Sequence, residues 1–452
     1  MSNYPSWRTL AACIHADYAG ADVPFQGISH DTRTLQAGQA YIAIKGERLD
    51  GHDYLPEAIA KGASLIIVRE KQSDLAVPQL LVKDTLQALG QLASVWRAQF
   101  QIPIIGITGS VGKTTTKQLT GHIFSSVKRT LVSQGNWNNQ IGLPLNILQL
   151  RYEHEVGVFE LGSSELGEIA ILTNMLKPTL AAVTAVAPAH VKGFGSVAGI
   201  ANEKSAIFSM LPSDGIAFAP VDEYQAVWRA RATQGKLLLC GLTEQADYFA
   251  SDVILHPQSV TFTAHTPVGN AHFDVPLAGK HNMMNALFAI AIATQAGITL
   301  ADCQKALLTM MPVKGRLNFH SLRNGITLID DSYNANPSSV KAAMAVLANQ
   351  TGRKVFVFGD MAELGSEQEI ACHEEVGQYA KELKIDALYT YGSLAKHAAI
   401  RFGQPTHATV SHQALVEALS LQPGDVCLIK GSRCNQLDKV VVALLQTQGS
   451  EL

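Results

Sequence analysis

Residues 102–120 most narrow what this chain can fold into. A short apolar run, 102–108, is followed by Gly109-Ser110-Val111-Gly112-Lys113-Thr114-Thr115 and then by Thr116-Lys117-Gln118-Leu119-Thr120. The run reads as a buried parallel strand, and the segment from Lys117 reads as a helix start. Strand, glycine turn and helix N-terminus in that order form a phosphate cradle, because backbone N–H groups converge there and the helix dipole favours an anion. In such a turn Gly109, Ser110, Val111, Gly112 and Thr115 line the cradle. Lys113 reaches the β- and γ-phosphates, and the Thr114 hydroxyl sits on Mg²⁺. The longer phosphate-loop pattern has glycine five residues before Gly112; Ile107 stands there, which leaves the short form Gly-x-x-Gly-Lys-Thr. An ordinary glycine-rich turn is the alternative, but the order of strand, glycines and Lys-Thr favours phosphate.

At 452 residues the chain exceeds a single core, so two to four domains are expected. With 47% hydrophobic and 16% charged residues it reads as globular, not disordered. The net charge of −3 gives no reason to expect nucleic acid, so an anionic substrate must be held by local groups. No apolar stretch is long enough to span a bilayer, and Met1-Ser2-Asn3-Tyr4 does not begin like a signal peptide. The expectation is a cytoplasmic protein without membrane insertion. The six cysteines (Cys13, Cys240, Cys303, Cys372, Cys427 and Cys434) contain no Cys-x-x-Cys, so they read as buried reduced thiols.

Three segments follow one another. Residues 1–83 carry strand-like runs at 41–44, 64–68 and 79–82 and a helix at 56–61 closed by Gly62, giving a small α/β domain. Two polar clusters in it, 28–33 and 45–53, suit a ligand or a solvated turn. Residues 84–312 begin with a helix at 85–100. Strands at 157–162 and 180–186 flank a helix at 167–176, a hairpin lies at 261–275, and a helix runs over 282–296. This alternation predicts a central phosphate-loop, mononucleotide-binding parallel sheet with its site at the strand C-termini. Residues 313–452 repeat it, with strands at 327–330, 354–358, 387–390 and 426–429 and helices at 338–348 and 367–383. A C-terminal Rossmann-like domain is expected, without a phosphate loop of its own.

Several polar groups fall at predicted strand ends. Glu160 can hold Mg²⁺ beside Thr114, since hard cations take oxygen ligands; a salt-bridged strand end is the alternative. His190 follows the next strand and suits a metal or a phosphate oxygen, although a lone histidine is more often structural. Lys204, taken on its own helix, reads as a surface lysine. Asn282 and Asn285 share one helix face, where amides can read an adenine edge, bridge to a metal shell, or merely cap. Asp330-Asp331-Ser332-Tyr333-Asn334-Ala335-Asn336-Pro337 and Lys430-Gly431-Ser432-Arg433 each end a strand of the third segment.

Together these stretches resemble the Mur ligase family over almost the whole chain. The likeness also runs through Ser29-His30-Asp31-Thr32-Arg33, Ile44-Lys45-Gly46-Glu47-Arg48, Gly135-Asn136-Trp137-Asn138-Asn139-Gln140, Ala189-His190-Val191-Lys192, Gly279-Lys280-His281-Asn282 and Gly315-Arg316. Gly359-Asp360-Met361-Ala362-Glu363-Leu364-Gly365, with the two third-segment motifs, selects the branch that adds D-alanyl-D-alanine. Ala185 stands where the family usually has Asn, and Val191-Lys192 where it has Leu-Glu. The Asp-Asn-Pro-Arg motif of diaminopimelate-adding relatives is absent.

The resemblance implies an ATP- and Mg²⁺-dependent C–N ligase. It would join D-alanyl-D-alanine to UDP-N-acetylmuramoyl-tripeptide through an acyl phosphate, giving a peptidoglycan precursor. Implied roles are phosphate handling by Lys113 and Thr114 and magnesium binding by Thr114, Glu160 and His190. Lys204 aligns with the family's carbamylated lysine, which serves a second magnesium. Asn282 and Asn285 fall near the adenine, with Arg316 and Asp331 closing on the nucleotide. Ser29, Arg33 and Lys45 would bind the UDP end, and Asn138 and Asn139 the sugar-peptide path. A monomer is expected. The competing readings are a sister ligase for another amino acid, a folylpolyglutamate-type ligase, and a nucleotide-dependent switch that ligates nothing.

Overall fold

The computed structural model describes residues 5–448 apart from Ala189, His190, Glu363, Ser366, Glu367, Gln404, Pro405 and Val410. These residues form three sheets of five, nine and six strands. In the first, Ile28–Ser29, Ala40–Ile42, Leu65–Val68 and Gln79–Leu81 run parallel, and Asp17–Ala19 adds an antiparallel edge. That edge strand and the helix Trp7–Cys13 go beyond the sequence reading. Both are short, and their identity is set by what they pack on.

The helix Thr85–Arg97 joins the first lobe to the second. Asp84 caps it, its Oδ1 accepting from the Gln87 N–H at 2.9 Å. Leu89, Leu92, Ala93 and Trp96 line its buried face. Trp96 meets Phe25 of the first lobe at 4.4 Å between ring centroids, and its Nε1 donates to the Leu150 carbonyl at 3.2 Å. Trp7, Phe25 and Trp96 thus share one apolar cluster with Leu145 and Leu172 of the central lobe.

In the nine-stranded sheet Ile104–Thr108 lies between Leu180–Val183 and Val156–Glu160, parallel to both. All five of its residues are buried, as expected of a strand covered on both faces. Ile107 pairs with Glu160 on one side and Ala182 on the other, so it belongs to the strand and the turn begins after it. The hairpin of Val260–Thr266 and Gly269–Val275 forms as read and extends the sheet antiparallel through Tyr248–Leu255. The helix after the turn starts at Lys113, earlier than the sequence suggests, because Gly112 takes a left-handed conformation (φ 85°) and caps it.

The third sheet has five parallel strands and the antiparallel edge Asn318–Ser321. Thr327–Asp331 and Val426–Lys430 are neighbours, so the motifs at their C-termini meet. The helix Pro337–Ala348 ends at a contact with the central lobe. There Asn349 Nδ2 donates to the Leu255 carbonyl at 3.2 Å, and Gln350 Nε2 to the Pro257 carbonyl at 2.7 Å. Among the described residues no helix is long and apolar enough to cross a membrane. The cysteines are free; Cys240, Cys303 and Cys427 are buried, whereas Cys13 and Cys434 are exposed, contrary to the sequence reading.

Candidate active site

The glycine turn is braced by the strand beside it. Ser110 N–H donates to the Ala185 carbonyl at 2.8 Å, and the Thr184 hydroxyl donates to the Val111 carbonyl at 2.6 Å. Lys113 Nζ curls over the turn and donates to the Gly109 carbonyl at 2.7 Å. Burial, the dominant cause, pulls the Lys113 pKa below the ordinary lysine value; Glu160 opposes this, and Arg316 of the third lobe reinforces it. The Ser110 hydroxyl and Glu160 Oε2 are buried without a hydrogen-bond partner. The first lies before a helix N-terminus and suits a phosphate, and the second ends a strand and suits a cation.

Glu160 ends its strand with only 2% of its surface exposed. Asn138 Nδ2 donates to its Oε1 at 2.7 Å, and Lys117 Nζ stands 3.6 Å from its Oε2. Asn138 reaches it across Gly162, where a Cβ would come within 2.7 Å of the Asn138 side chain. Asn139 faces elsewhere: its Oδ1 accepts from the Ile141 and Gly142 N–H groups and caps the helix Gly142–Ile147. His190 lies outside the described residues.

Lys204 is buried, not on the surface. Its Nζ donates to the Ser163 hydroxyl at 2.6 Å and sits 5.2 Å from the Phe194 ring centroid. Burial first, and the Lys113 charge second, bring its pKa down to about 7. Neighbouring Glu203 accepts from the Gly167 and Ile169 N–H groups, both at 2.7 Å, and so anchors the helix Glu168–Leu176.

Asn282 and Asn285 are buried and form a chain: Asn285 Nδ2 donates to Asn282 Oδ1 at 3.1 Å, and the Thr116 hydroxyl to Asn285 Oδ1 at 3.2 Å. The chain joins the helix Lys280–Gln295 to the helix of the glycine turn. From the third lobe, the Arg316 guanidinium carbon lies 4.3 Å from the Tyr333 ring centroid, and that of Arg433 lies 6.0 Å away. Burial pushes the Tyr333 hydroxyl up from its ordinary pKa, and the nearby Asn136 side chain of the central lobe opposes that shift. Asp331 binds Lys430 Nζ at 2.5 Å in a buried pair and accepts from the Leu317 N–H at 3.3 Å. In the first lobe, Ser29 hydrogen-bonds the Asp31 backbone, Arg33 pairs with Asp31 at 2.6 Å, and Lys45 is exposed. Lys113, Thr114, Thr115, Glu160, Asn138 and Asn285 are therefore brought around the glycine turn, with Arg316 facing them; Ser29, Arg33 and Lys45 belong to the first lobe.

Three family models match in chain order. The Mur ligase family catalytic domain covers residues 24–97, the Mur ligase middle domain 107–293, and the Mur ligase glutamate ligase domain 315–433. The chain belongs to the Mur ligase family. The UDP-N-acetylmuramoyl-tripeptide--D-alanyl-D-alanine ligase of Escherichia coli K12 is 38% identical over 96% of this chain and 97% of its own length. Among solved structures, MurF from Acinetobacter baumannii superposes with a TM-score of 0.91 at 34% identity, covering 98% of this chain and 100% of that one. MurF ligase from Thermotoga maritima in complex with ADP superposes with a TM-score of 0.82 at 25% identity, covering 93% and 97%. The chain shares the three-domain α/β architecture of these Mur ligases.

Some site residues of this Mur ligase carried no signal in the sequence. Lys117 looks like any polar helix residue, yet it is fully buried. Thr184 looks like a strand residue, yet it braces the turn. Asp360, in a motif diagnostic of the family, accepts from the Ser393, Leu394 and Ala395 N–H groups at 3.1, 3.0 and 2.6 Å and so holds a loop of its own lobe.

Proposed function

We propose that this chain is the ATP-dependent ligase that joins D-alanyl-D-alanine to UDP-N-acetylmuramoyl-tripeptide, completing the pentapeptide precursor of peptidoglycan in the cytoplasm. The reading is supported by a full-length relative of that name and by one observation of the site. The Arg316 charge of the third lobe lowers the pKa of Lys113 and the Glu160 charge raises that of Tyr333, so groups of two lobes lie near one strand-end site.

The chemistry has two stages. The tripeptide carboxylate attacks the γ-phosphorus of ATP, forming a C–O–P linkage as ADP leaves. The D-alanyl-D-alanine amine then adds to the acyl carbon, and the tetrahedral intermediate collapses to an amide, releasing phosphate and a proton. Activation is needed because a carboxylate is a poor electrophile at neutral pH. The protein contributes positioning and charge neutralisation. Lys113 with Gly109, Ser110, Val111, Gly112, Thr114 and Thr115 holds the phosphates. Thr114, Glu160, His190 and a carbamylated Lys204 are the assigned magnesium ligands, and the metal would neutralise charge on the transferred phosphoryl oxygens. The Glu160 Oε2, which has no hydrogen-bond partner, and the Lys204 amine, its pKa brought down to about 7, suit those assignments. Asn282 and Asn285 border the adenine, and Arg316 and Asp331 close from the third lobe. Ser29, Arg33 and Lys45 take the UDP end, and Asn138 and Asn139 the sugar-peptide path. The limits 1–83, 84–312 and 313–452 delimit the three domains, and the active unit is a monomer.

The test is incubation with UDP-N-acetylmuramoyl-tripeptide, D-alanyl-D-alanine and ATP, with mass detection of the pentapeptide product. Lysine, diaminopimelate and glutamate serve as competing amines. Preferential ligation of one of those amines, or ATP hydrolysis indifferent to every cosubstrate, overturns the reading.

A further inference from the structure

The segment from Ser133 to Asn139 touches all three lobes. Trp137 meets His30 of the first lobe edge-on, with centroids 6.4 Å apart. The Asn136 side chain lies near enough to the Tyr333 hydroxyl of the third lobe to lower its pKa. Asn138 holds Glu160 of the central sheet. Residues 134–137 and Asn139 are exposed, and the segment is held in part by Ser133 N–H on the Val158 carbonyl, Gln134 N–H on Asn146 Oδ1 and Gly162 N–H on the Asn138 carbonyl, each at 2.9 Å. A side chain from beneath adds a grip on the carbonyls of its start. Lys117 Nζ donates to the Ser133 carbonyl at 2.9 Å and to the Gly135 carbonyl at 2.8 Å, with Glu160 Oε2 3.6 Å away. The lysine projects from the helix of the glycine turn and has no exposed surface. A fully buried ammonium is kept only where several acceptors surround it, and here the acceptors are two carbonyls of this one segment and the strand-end carboxylate.

We propose that Lys117 is a positioning residue that fixes the segment 133–139 to the phosphate-loop helix, and so sets the distance between the phosphate turn and the peptide end of the substrate. Both ends of the reaction then move as one body: whatever seats the phosphates also seats Asn138, Trp137 and Asn136. A flexible apolar side chain of the same length fills the volume but grips neither carbonyl. A glutamine is shorter and neutral, and grips at most one. Lys117 is placed in contact with the protein alone, not with substrate.

The activity arm of the test rests on the ligase reading, so a second arm does not. Lys117→Met and Lys117→Gln are compared with the unaltered protein by amide hydrogen exchange and by steady-state kinetics. The expected result is exchange at the hydrogen-bonded amides of Ser133, Gln134 and Asn138 about tenfold faster or more in Lys117→Met, as for loss of hydrogen bonds to a charged group, with the helix Lys113–Ser125 still protected. Lys117→Gln should fall between, and it keeps the test open if the methionine variant does not fold. In kinetics the KM for the UDP-linked tripeptide should rise about tenfold while the KM for ATP stays within about twofold. Segment exchange within about twofold of the unaltered protein in whichever variants fold overturns the proposal, and so does an equal rise in both KM values. If the unaltered protein ligates nothing, the ligase reading fails, while the exchange result still decides the role of Lys117.

Discussion

The Arg316 guanidinium carbon lies over the Tyr333 ring, 4.3 Å from its centroid, and the hydroxyl of the same tyrosine lies near the Asn136 side chain of the central lobe. The ring therefore holds a cation whose charge acts on Lys113 of the glycine turn in the neighbouring lobe. A guanidinium stacks on a ring as a plane, whereas an ammonium is a compact point charge, so Arg316→Lys is not conservative here. With cation–π contacts worth about 0.5–2 kcal/mol, Arg316→Lys should lower kcat/KM about 3- to 30-fold. Tyr333→Phe keeps the platform and loses only the hydroxyl, and should cost less. Equal losses in the two variants would refute the stacking argument.

Gly112 combines two demands: a left-handed φ of 85°, and an Asn285 Oδ1 that would lie 2.4 Å from any Cβ. Gly112→Ala should therefore destabilise the protein by about 2–3 kcal/mol in urea unfolding. Measured against Asn285→Ala in a double-mutant cycle, the collision disappears and about 1–2 kcal/mol of backbone strain remains. Full recovery in the double variant would mean that the turn does not require glycine.

His281 sits beside a cavity of about 130 Å³ between the central and third lobes, lined by Leu255, Val346 and Asn349. Burial, and then the charge of Lys430, hold its pKa at about 4. Above pH 6.5 the ring is neutral in both folded and unfolded chains, so it has no pH effect. From pH 6.5 down to 4 the unfolded chain takes up a proton that the folded chain refuses, so stability falls as pH falls. Because the ring is partly exposed, the expected loss is about 1–2 kcal/mol between pH 7.5 and 5. His281→Asn should lose correspondingly less over that interval in urea unfolding. Identical pH slopes in the two proteins would remove His281 as the cause.

The Lys113 ammonium rests on the carbonyls of the turn itself. Lys113→Ala should cut acyl phosphate formation by about 10²- to 10³-fold, the scale of losing one preorganised charge-stabilising donor. Thermal stability should hold or rise, because a desolvated cation is removed. Normal turnover in that variant would end the phosphate assignment.

Local pattern carried the strand Ile104–Thr108, its turn, the hairpin at Val260–Thr266 and Gly269–Val275, and the alternation of the third lobe, because each is fixed by period and turn chemistry within a few residues. It did not carry the strand Ile28–Ser29, only two residues long, whose pairing with Ala40–Ile42 comes from the sheet. Nor did it carry Lys117, Thr184 or Tyr333, whose partners lie far along the chain or in another lobe. Burial of a lysine cannot be read from its own helix when the groups that enclose it come from elsewhere. Lys204 is the plainest instance, since only the likeness to the family singled it out.

In the fold, Lys204 becomes chemically unusual. Its amine is enclosed, hydrogen-bonds the Ser163 hydroxyl at 2.6 Å, and has a pKa near 7 because burial and the Lys113 charge both disfavour the ammonium. A neutral amine adds to carbon dioxide: the N–C bond forms, one proton is released, and a carbamate anion replaces the amine. That anion can serve a magnesium ion, which an ammonium repels. Two measurements follow. With isotope-labelled bicarbonate, the unaltered protein should show a carbamate carbon resonance that is missing in Lys204→Ala. Ligation by Lys204→Ala should be lost and then partly restored by formate or acetate, which return a carboxylate to the space the side chain vacates. Full activity of Lys204→Ala without any added carboxylate would leave the lysine a structural residue and remove the carbamate from the site.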